Sequence, residues 1–235
     1  RMINAPLRCL RFFFIALAGC SLLFGLAIGV ARLGFALPLP SSALLSLHGP
    51  LMAIGFLLTL IGLKRAAALA RWWGYGVPLL SVLCVVWLLI QLPVPMPAIF
   101  AVGAALWLTV FFLELYRRQG HEHFVIMALS AALLTTGNLL WLSETAIHHI
   151  VPWWAGFVVL TIAGERLELT RLGSRKLAAR WLFRIAVIIF VAGLVVSNWQ
   201  FRLGVRIAGA GLIALALWLL RHDLAWQNIK LPGLP

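Results

Sequence analysis

The sequence predicts an all-α, polytopic membrane helix bundle of about eight transmembrane helices, with both termini on the cytoplasmic side. Three observations predict this fold class. The first is composition: of the 235 residues, 63% are hydrophobic and only 11% are charged, and the mean hydropathy is +1.05. Such a chain has too little polar surface to cover a water-soluble core, so it belongs in a lipid bilayer. The others are the spacing of the apolar runs and the placement of the basic residues.

Apolar runs of roughly 20 residues, the length that crosses a bilayer, occur eight times. The predicted spans are 12–33, 43–63, 73–92, 97–116, 123–144, 150–168, 180–198 and 203–221. Turn residues mark the breaks, with Pro38, Pro40, Ser41 and Ser42 after the first span and Pro93, Pro95 and Pro97 after the third. Residues 1–235 then form a single transmembrane helical domain. Its start at Arg1 and its connector-like end fit the N-terminal part of a longer protein.

Lysine and arginine concentrate on one side of these spans, and this sets the orientation. With the N-terminus inside, only three basic residues fall outside: Arg32, Arg202 and Arg206. The other sixteen fall inside: Arg1, Arg8, Arg11, Lys64, Arg65, Arg71, Arg117, Arg118, Arg166, Arg171, Arg175, Lys176, Arg180, Arg184, Arg221 and Lys230. We therefore expect a multi-pass protein of the bacterial inner membrane. The net charge of +13 then reflects inner loops that face anionic lipid headgroups, and no nucleic-acid partner is needed.

The second span carries a histidine near its outer end, and an ionisable side chain at membrane depth predicts a functional site. On α-helical spacing, His48, Met52, Gly55, Thr59 and Gly62 share one narrow face. Glycines on such a face admit a flat cofactor or a closely packed helix. The histidine favours a cofactor, with Met52 beside a porphyrin edge or as a soft copper ligand. The structural alternative is that His48 caps a helix or bonds a neighbouring carbonyl.

A second pair of histidines is predicted at the same outer level, near the start of the sixth span. Imidazoles of His148 and His149 are fitting ligands for haem iron or copper, and Glu144 is placed to accept a hydrogen bond from His148. Adjacent residues on a helix point about 100° apart, so both cannot fill one axial position. His149 is the favoured inward ligand, although Pro152 disfavours helix at Val151, the residue before it. The alternative is that both histidines are solvated loop residues.

Two further polar groups have mainly structural interpretations. On the predicted inner side, His121, Glu122 and His123 open the fifth span, and we interpret them as a solvated helix cap in preference to a metal site. Asn138 lies near the centre of the same span, where an amide usually bonds another helix and less often lines a ligand path. No nucleotide-binding loop, hydrolase elbow or protease signature is present in the sequence.

The run Leu47-His48-Gly49-Pro50-Leu51-Met52, continuing to Gly55-Phe56, resembles the second-span signature of the heme-copper oxidase large subunits and of the NnrS-type membrane haem proteins. The resemblance implies that His48 ligates a haem near the outer face, and that His148 or His149 lies on the helix that carries a copper ligand in the oxidases. It covers about eight of the twelve spans of such proteins. The His-Pro-Glu-Val pattern of their sixth helix is absent here.

These features together predict a membrane protein that binds haem b, or failing that copper, through His48 and His149 or His148. Its expected role is electron transport in a respiratory chain or a step of nitrogen-oxide metabolism, alongside other membrane subunits or a redox partner. A non-redox structural subunit of a larger membrane complex is the main alternative. A small-solute transporter is the third, and the lack of deep intramembrane charge argues against an ion-coupled one.

Overall fold

The computed structural model describes residues 5–35, 42–69, 71–90, 95–169 and 177–222. Within these ranges every regular element is helical and no strand occurs. Eight helices are long and apolar enough to cross a membrane, which confirms the predicted helical bundle. We number them α1 to α8. The simple helices are α1 (Ala5–Arg32), α4 (Pro95–Gln119), α5 (Glu122–Leu142), α6 (Ile147–Leu169), α7 (Leu177–Val196) and α8 (Phe201–His222).

Helices α2 and α3 are composite. Helix α2 joins a 3₁₀ segment Ser42–Leu47, an α turn His48–Pro50, a π-helical segment Leu51–Leu58 and an α segment Thr59–Leu69. Helix α3 is Gly76–Leu89, preceded by the 3₁₀ turn Trp72–Tyr75. A π segment at the mouth of a helix often accompanies a functional site. Here it begins at Leu51, three residues after His48.

Two proline predictions need correction. Pro95 and Pro97 were expected in an outer turn, yet α4 begins at Pro95. The first N–H groups of a helix have no intrahelical partner, so prolines there cost nothing. Pro152 was expected to disfavour helix at Val151, yet α6 runs unbroken through both residues. Four of the predicted turn residues lie outside the described residues. They are Pro38, Pro40 and Ser41 after the first span and Pro93 after the third span.

The chain forms two compact units, and each is described by itself. The first comprises residues 1–111 and 141–144, and the second comprises residues 112–140 and 145–235. In the first unit, α1, α2 and α3 pack around two apolar clusters. One contains Phe14, Leu63, Ala66 and Tyr75, and the other contains Ile28, Leu44, Leu51 and Val85. The clusters hold opposite ends of the three helices together.

In the second unit, α7 and α8 form a hairpin whose backbones are in direct contact. A Cβ added to Gly211 would lie 2.5 Å from the backbone nitrogen of Phe190, and Gly193 faces the backbone of Ala208 just as closely. Near the other end, Trp218 donates its indole N–H to the carbonyl oxygen of Ala179 over 2.7 Å. Small residues therefore permit the close approach, and one buried hydrogen bond fixes its register.

Large apolar side chains cover the outside of both units. Leu23 on α1 is 69% exposed and Ile213 on α8 is 63% exposed, and similar residues occur on the other helices. Water would penalise such surfaces, whereas lipid tails do not. The chain is a multi-pass membrane protein.

Candidate functional site around His48

His48 lies at the start of the α turn of α2 and packs against α1. Its Nδ1 is 2.8 Å from the carbonyl oxygen of Gly25, and its exposure is intermediate. The Nδ1–Cε1 edge of the ring lies over Gly29, where an added Cβ would be 2.9 Å from Cε1 and 3.1 Å from Nδ1. The imidazole is therefore seated in a cradle that any larger residue at position 29 would fill.

The hydrogen bond to Gly25 also defines the chemistry of the ring. A carbonyl oxygen only accepts hydrogen bonds, so Nδ1 of His48 must be the protonated nitrogen and donate. In the neutral imidazole, Nε2 then carries the lone pair. This is the tautomer that a metal-ligating histidine needs, with its second nitrogen fixed by a backbone oxygen. The same bond is also what the structural alternative expects of a histidine that fastens two helices.

Met52 lies one turn further along α2, and it faces α1 as well. A Cβ added to Gly25 would lie 3.0 Å from the sulfur of Met52 and 3.3 Å from its Cγ. Gly25 and Gly29, which are one turn apart on α1, thus receive Met52 and His48 respectively. The two side chains that the sequence singles out in α2 share one packing surface.

The predicted face of α2 packs against α1 from His48 through Met52 to Gly55, whereas Gly62 packs against α3. An added Cβ on Gly55 would meet Ser21 of α1 and Val85 of α3, both at 2.8 Å, and one on Gly62 would meet Val77 of α3 at 2.5 Å. The face was derived from α-helical spacing, but residues 51–58 are π-helical and turn through a smaller angle per residue. Neighbouring helices therefore cover Gly55 and Gly62, and a flat cofactor does not lie on them.

The π segment ends at Leu58, and the next residue, Thr59, donates two hydrogen bonds to one carbonyl oxygen. Its backbone N–H donates to Ile54, five residues back, and its hydroxyl donates to the same oxygen over 3.2 Å. Thr59 is fully buried, so an unbonded hydroxyl there would be costly. Thr59 is thus a structural residue of α2, which the sequence placed only on the candidate cofactor face.

An apolar groove of about 540 Å³ opens between α1, α2 and α3. Sequence reasoning did not predict it, because it arises only where three helices meet. Cys20 lines the groove and is exposed. The groove residues are Leu17, Cys20, Ser21, Leu23, Phe24, Ala27, Leu51, Gly55, Val82, Val85, Val86 and Leu89.

In the second unit, His148 and His149 occupy the first turn of α6 with their rings together. The ring centroids are 4.3 Å apart, and both rings meet the edge of Phe201 on α8, at 5.6 and 5.3 Å. His148 is exposed and His149 is partly buried. Pro152 has no N–H to offer the carbonyl of His148 four residues before it. No local sequence pattern predicts the contact with Phe201, because Phe201 lies about fifty residues after the two histidines in the chain.

The two residues predicted to support the site have clear local roles. Glu144 is exposed in the turn after α5, where its φ of 56° is left-handed and its N–H donates to the carbonyl of Trp141 over 3.0 Å. Its pairing with His148 stays a prediction. Asn138 is fully buried, and its Oδ1 accepts a hydrogen bond from Nε1 of Trp154 over 2.9 Å. The expectation that this amide bonds another helix is confirmed.

At the start of α5, the predicted solvated cap is wrong for His123, which is only 2% exposed. Its ring packs against Phe124 at 4.0 Å between centroids. The carboxylate of Glu122 accepts a hydrogen bond from Nε of Arg184 over 2.6 Å, and Nε of Arg180 lies 3.9 Å from the other oxygen of that carboxylate. Among the described residues, no group of three or more His, Cys, Asp or Glu side chains is placed to hold a metal ion.

Comparison with known proteins adds one finding. No curated protein and no solved structure matches this chain. The model of the family described as "Domain of unknown function (DUF8744)" matches residues 11–235, which is nearly the whole sequence, and the chain belongs to that family.

Proposed function

We propose that this protein binds a b-type haem in the membrane, and that Nε2 of His48 would hold its iron. The observation that carries the proposal is the bond from Nδ1 of His48 to the Gly25 carbonyl, because it leaves Nε2 as the nitrogen with the free lone pair. The proposed role is electron transfer, or a haem-dependent step of respiratory or nitrogen-oxide metabolism, in a bacterial inner membrane.

The donor set around His48 fits such a group in part. A neutral imidazole in a half-buried, apolar setting suits haem iron, and Gly25 orients it as a backbone acceptor orients many ligand histidines. The sulfur of Met52, one turn away, makes copper the alternative cofactor. The covered glycines at positions 55 and 62 restrict the proposal to the surroundings of His48. That His149 or His148 supplies another ligand stays a prediction of the sequence.

A bound haem would supply a reversible one-electron couple. The residues of this chain would hold and tune it. The Gly25 carbonyl fixes the ring orientation and strengthens the imidazole as a donor. The apolar side chains of α1 and α2 exclude water, and burial together with ligand identity sets a haem potential.

An optical spectrum tests the proposal directly. Protein purified in mild detergent is expected to show a reduced-minus-oxidised haem band and about one iron per chain. His48→Gln removes the ligand but keeps a side chain that can donate to Gly25, so it should abolish the band with little loss of fold. His222→Ala, a change of the C-terminal histidine of α8, is the matched control and should keep the band.

Fold is checked in each variant by gel filtration and far-ultraviolet circular dichroism, and free imidazole should restore the band in His48→Gln. His148→Ala and His149→Ala examine the second predicted ligand in the same way. A colourless wild-type preparation with neither iron nor copper would contradict the proposal. A band that survives in His48→Gln would remove His48 from it.

A non-redox subunit of a larger membrane complex is the second candidate. The observation that favours it is the dense contact of Gly25 and Gly29 with Met52 and His48, because small residues at a helix crossing are sufficient to explain a histidine bonded to a carbonyl. On this account the purified chain has no visible band, and His48→Gln changes only its stability.

A further inference from the structure

The apolar groove between α1, α2 and α3 lies within the first unit, and its chemistry restricts what it can hold. Its volume of about 540 Å³ falls within the range of roughly 300–1,000 Å³ that is usual for small-molecule sites. Of the described residues that line it, only Cys20 and Ser21 carry a polar side-chain atom. The hydroxyl of Ser21 already donates to the carbonyl oxygen of Leu17 over 2.9 Å. The groove therefore favours a hydrocarbon group over a polar one.

The groove is open towards the lipid-facing surface of the first unit. Cys20 and Leu23 of α1 are both exposed, and Leu23 is 69% exposed. On α3, Val86 is 45% exposed and Leu89 is 44% exposed. These four side chains line the groove and also belong to the apolar surface that meets the bilayer. The groove is thus continuous with the interface between protein and lipid, and a hydrocarbon chain enters it sideways.

The length of the groove matches one leaflet of the bilayer. On α1 its lining runs from Leu17 to Ala27, which is about 15 Å along the helix axis. This is half of the ~30 Å hydrocarbon core, the depth that the tails of one leaflet occupy. On α2 the groove is lined at Leu51, one turn after His48, and on α3 it extends to Leu89, the last residue of that helix. The groove therefore lies in the leaflet at the His48 end of these helices.

The floor of the groove is closed by direct helix contact. A Cβ added to Gly55 of α2 would lie 2.8 Å from both Oγ of Ser21 and Cγ2 of Val85, so no chain passes between the helices there. A ligand must lie along the groove, parallel to the helices, as the tail of a bilayer lipid does. We infer that the groove binds one acyl chain of a membrane phospholipid, because such chains are the hydrocarbon that surrounds the protein at this depth. The inference does not depend on haem binding.

Crosslinking from inside an acyl chain tests the site. The full-length chain is reconstituted in vesicles of phosphatidylethanolamine and phosphatidylglycerol with a trace of phosphatidylcholine that carries a photoactivatable diazirine in the middle of one chain. After illumination, peptide mapping should place crosslinks mainly on the groove residues of α1 and α3. They should exceed those on the face of α8 around Ile213, which is 63% exposed. An even spread over all exposed apolar positions would overturn the inference, because lipid would then only surround the protein.

Two variants fill the groove from different helices. Ala27→Phe on α1 and Val86→Phe on α3 should each reduce the crosslinking of the groove to the level found on α8. Ala216→Phe is the matched control, since it makes the same change at an exposed position of α8 and should leave the pattern unchanged. Gel filtration and far-ultraviolet circular dichroism check the fold, and one folded groove variant is sufficient. Undiminished crosslinking in a folded groove variant would contradict the proposed site.

Two further measurements distinguish an acyl chain from other occupants. Native mass spectrometry in mild detergent should show that Ala27→Phe loses one bound lipid, whether the lipid added is phosphatidylglycerol or phosphatidylcholine with the same chains. A loss confined to phosphatidylglycerol would identify a headgroup site and overturn the inference. In vesicles, oxidation of a Cys9→Ser chain should not join two copies through Cys20. A disulfide-linked dimer would rule out the lipid, because a second copy would then cover the groove.

Discussion

Nε1 of Trp154 on α6 donates a hydrogen bond to Oδ1 of Asn138 on α5 over 2.9 Å, and both side chains are buried. Gly137 makes the approach possible, because an added Cβ there would lie 2.9 Å from Cδ1 of the indole. A second buried contact, between the hydroxyls of Ser130 and Thr161 at 3.1 Å, joins the same two helices. Polar groups in an apolar surrounding thus fix how α5 and α6 meet.

The first prediction concerns this pair. Asn138→Leu and Trp154→Phe should each destabilise the protein, and a double-mutant cycle should give a coupling of about 1 kcal/mol, the usual size for a hydrogen bond between membrane helices. Reversible unfolding in mixed micelles measures it. Leu139→Ala, at an exposed neighbouring position, is the control. A coupling near zero would show that the bond adds nothing beyond packing.

The second prediction concerns the cradle of His48. Gly29→Ala should destabilise by about 1–3 kcal/mol, because the new Cβ displaces a ring that the Gly25 carbonyl holds in place. Gly19→Ala is the matched control on the same helix, since nothing lies within 4 Å of the added Cβ. It should be neutral or stabilising by up to about 1 kcal/mol. Thermal unfolding followed by tryptophan fluorescence compares them, and equal behaviour of the two variants would contradict the cradle.

The third prediction uses a similar pair of glycines on α8. Gly211→Ala should cost about 3 kcal/mol or more, because its Cβ would meet the backbone of Phe190, which cannot rotate away. Gly209→Ala, two residues earlier, has open space around it and should be tolerated. Yield of folded protein on gel filtration and the unfolding midpoint are the measurements. A stable Gly211→Ala variant would mean that α7 and α8 are further apart than described.

The fourth prediction concerns the π segment of α2. Thr59→Val keeps the shape of the side chain but removes the donor to Ile54, so it should destabilise by about 1 kcal/mol. Thr59→Ser keeps the hydroxyl and should lose less. Amide hydrogen exchange should quicken across Leu51–Leu58 in the valine variant alone. Unchanged exchange would show that the segment is held by packing and not by this hydroxyl.

Much of the helical framework was predictable from sequence. The length and apolarity of each run predict its span. Helix α5, for example, begins at Glu122 and ends at Leu142, within a few residues of the predicted span 123–144. The importance of Asn138 was also predictable, because a lone amide in an apolar run has few cheap solutions other than another helix. These are local properties, read from one stretch of chain at a time.

The predictions that failed depend on what lies beside each residue. Gly62 was placed on the face of His48 because regular α spacing was assumed, but residues 51–58 are π-helical and Gly62 faces Val77 of α3. His123 was expected in solvent and is buried. No local pattern reports which neighbour covers a given face.

The sequence by itself determined that this is a multi-pass helical membrane protein and that position 48 carries an imidazole near the start of a span. Whether a run of residues crosses a bilayer depends only on its own length and apolarity. Only the tertiary structure decided which nitrogen of that imidazole donates a hydrogen bond, because the acceptor is the carbonyl oxygen of Gly25, 23 residues earlier in the chain. Contacts between separate helices decide such features, and lipid on the outside exerts no preference among them.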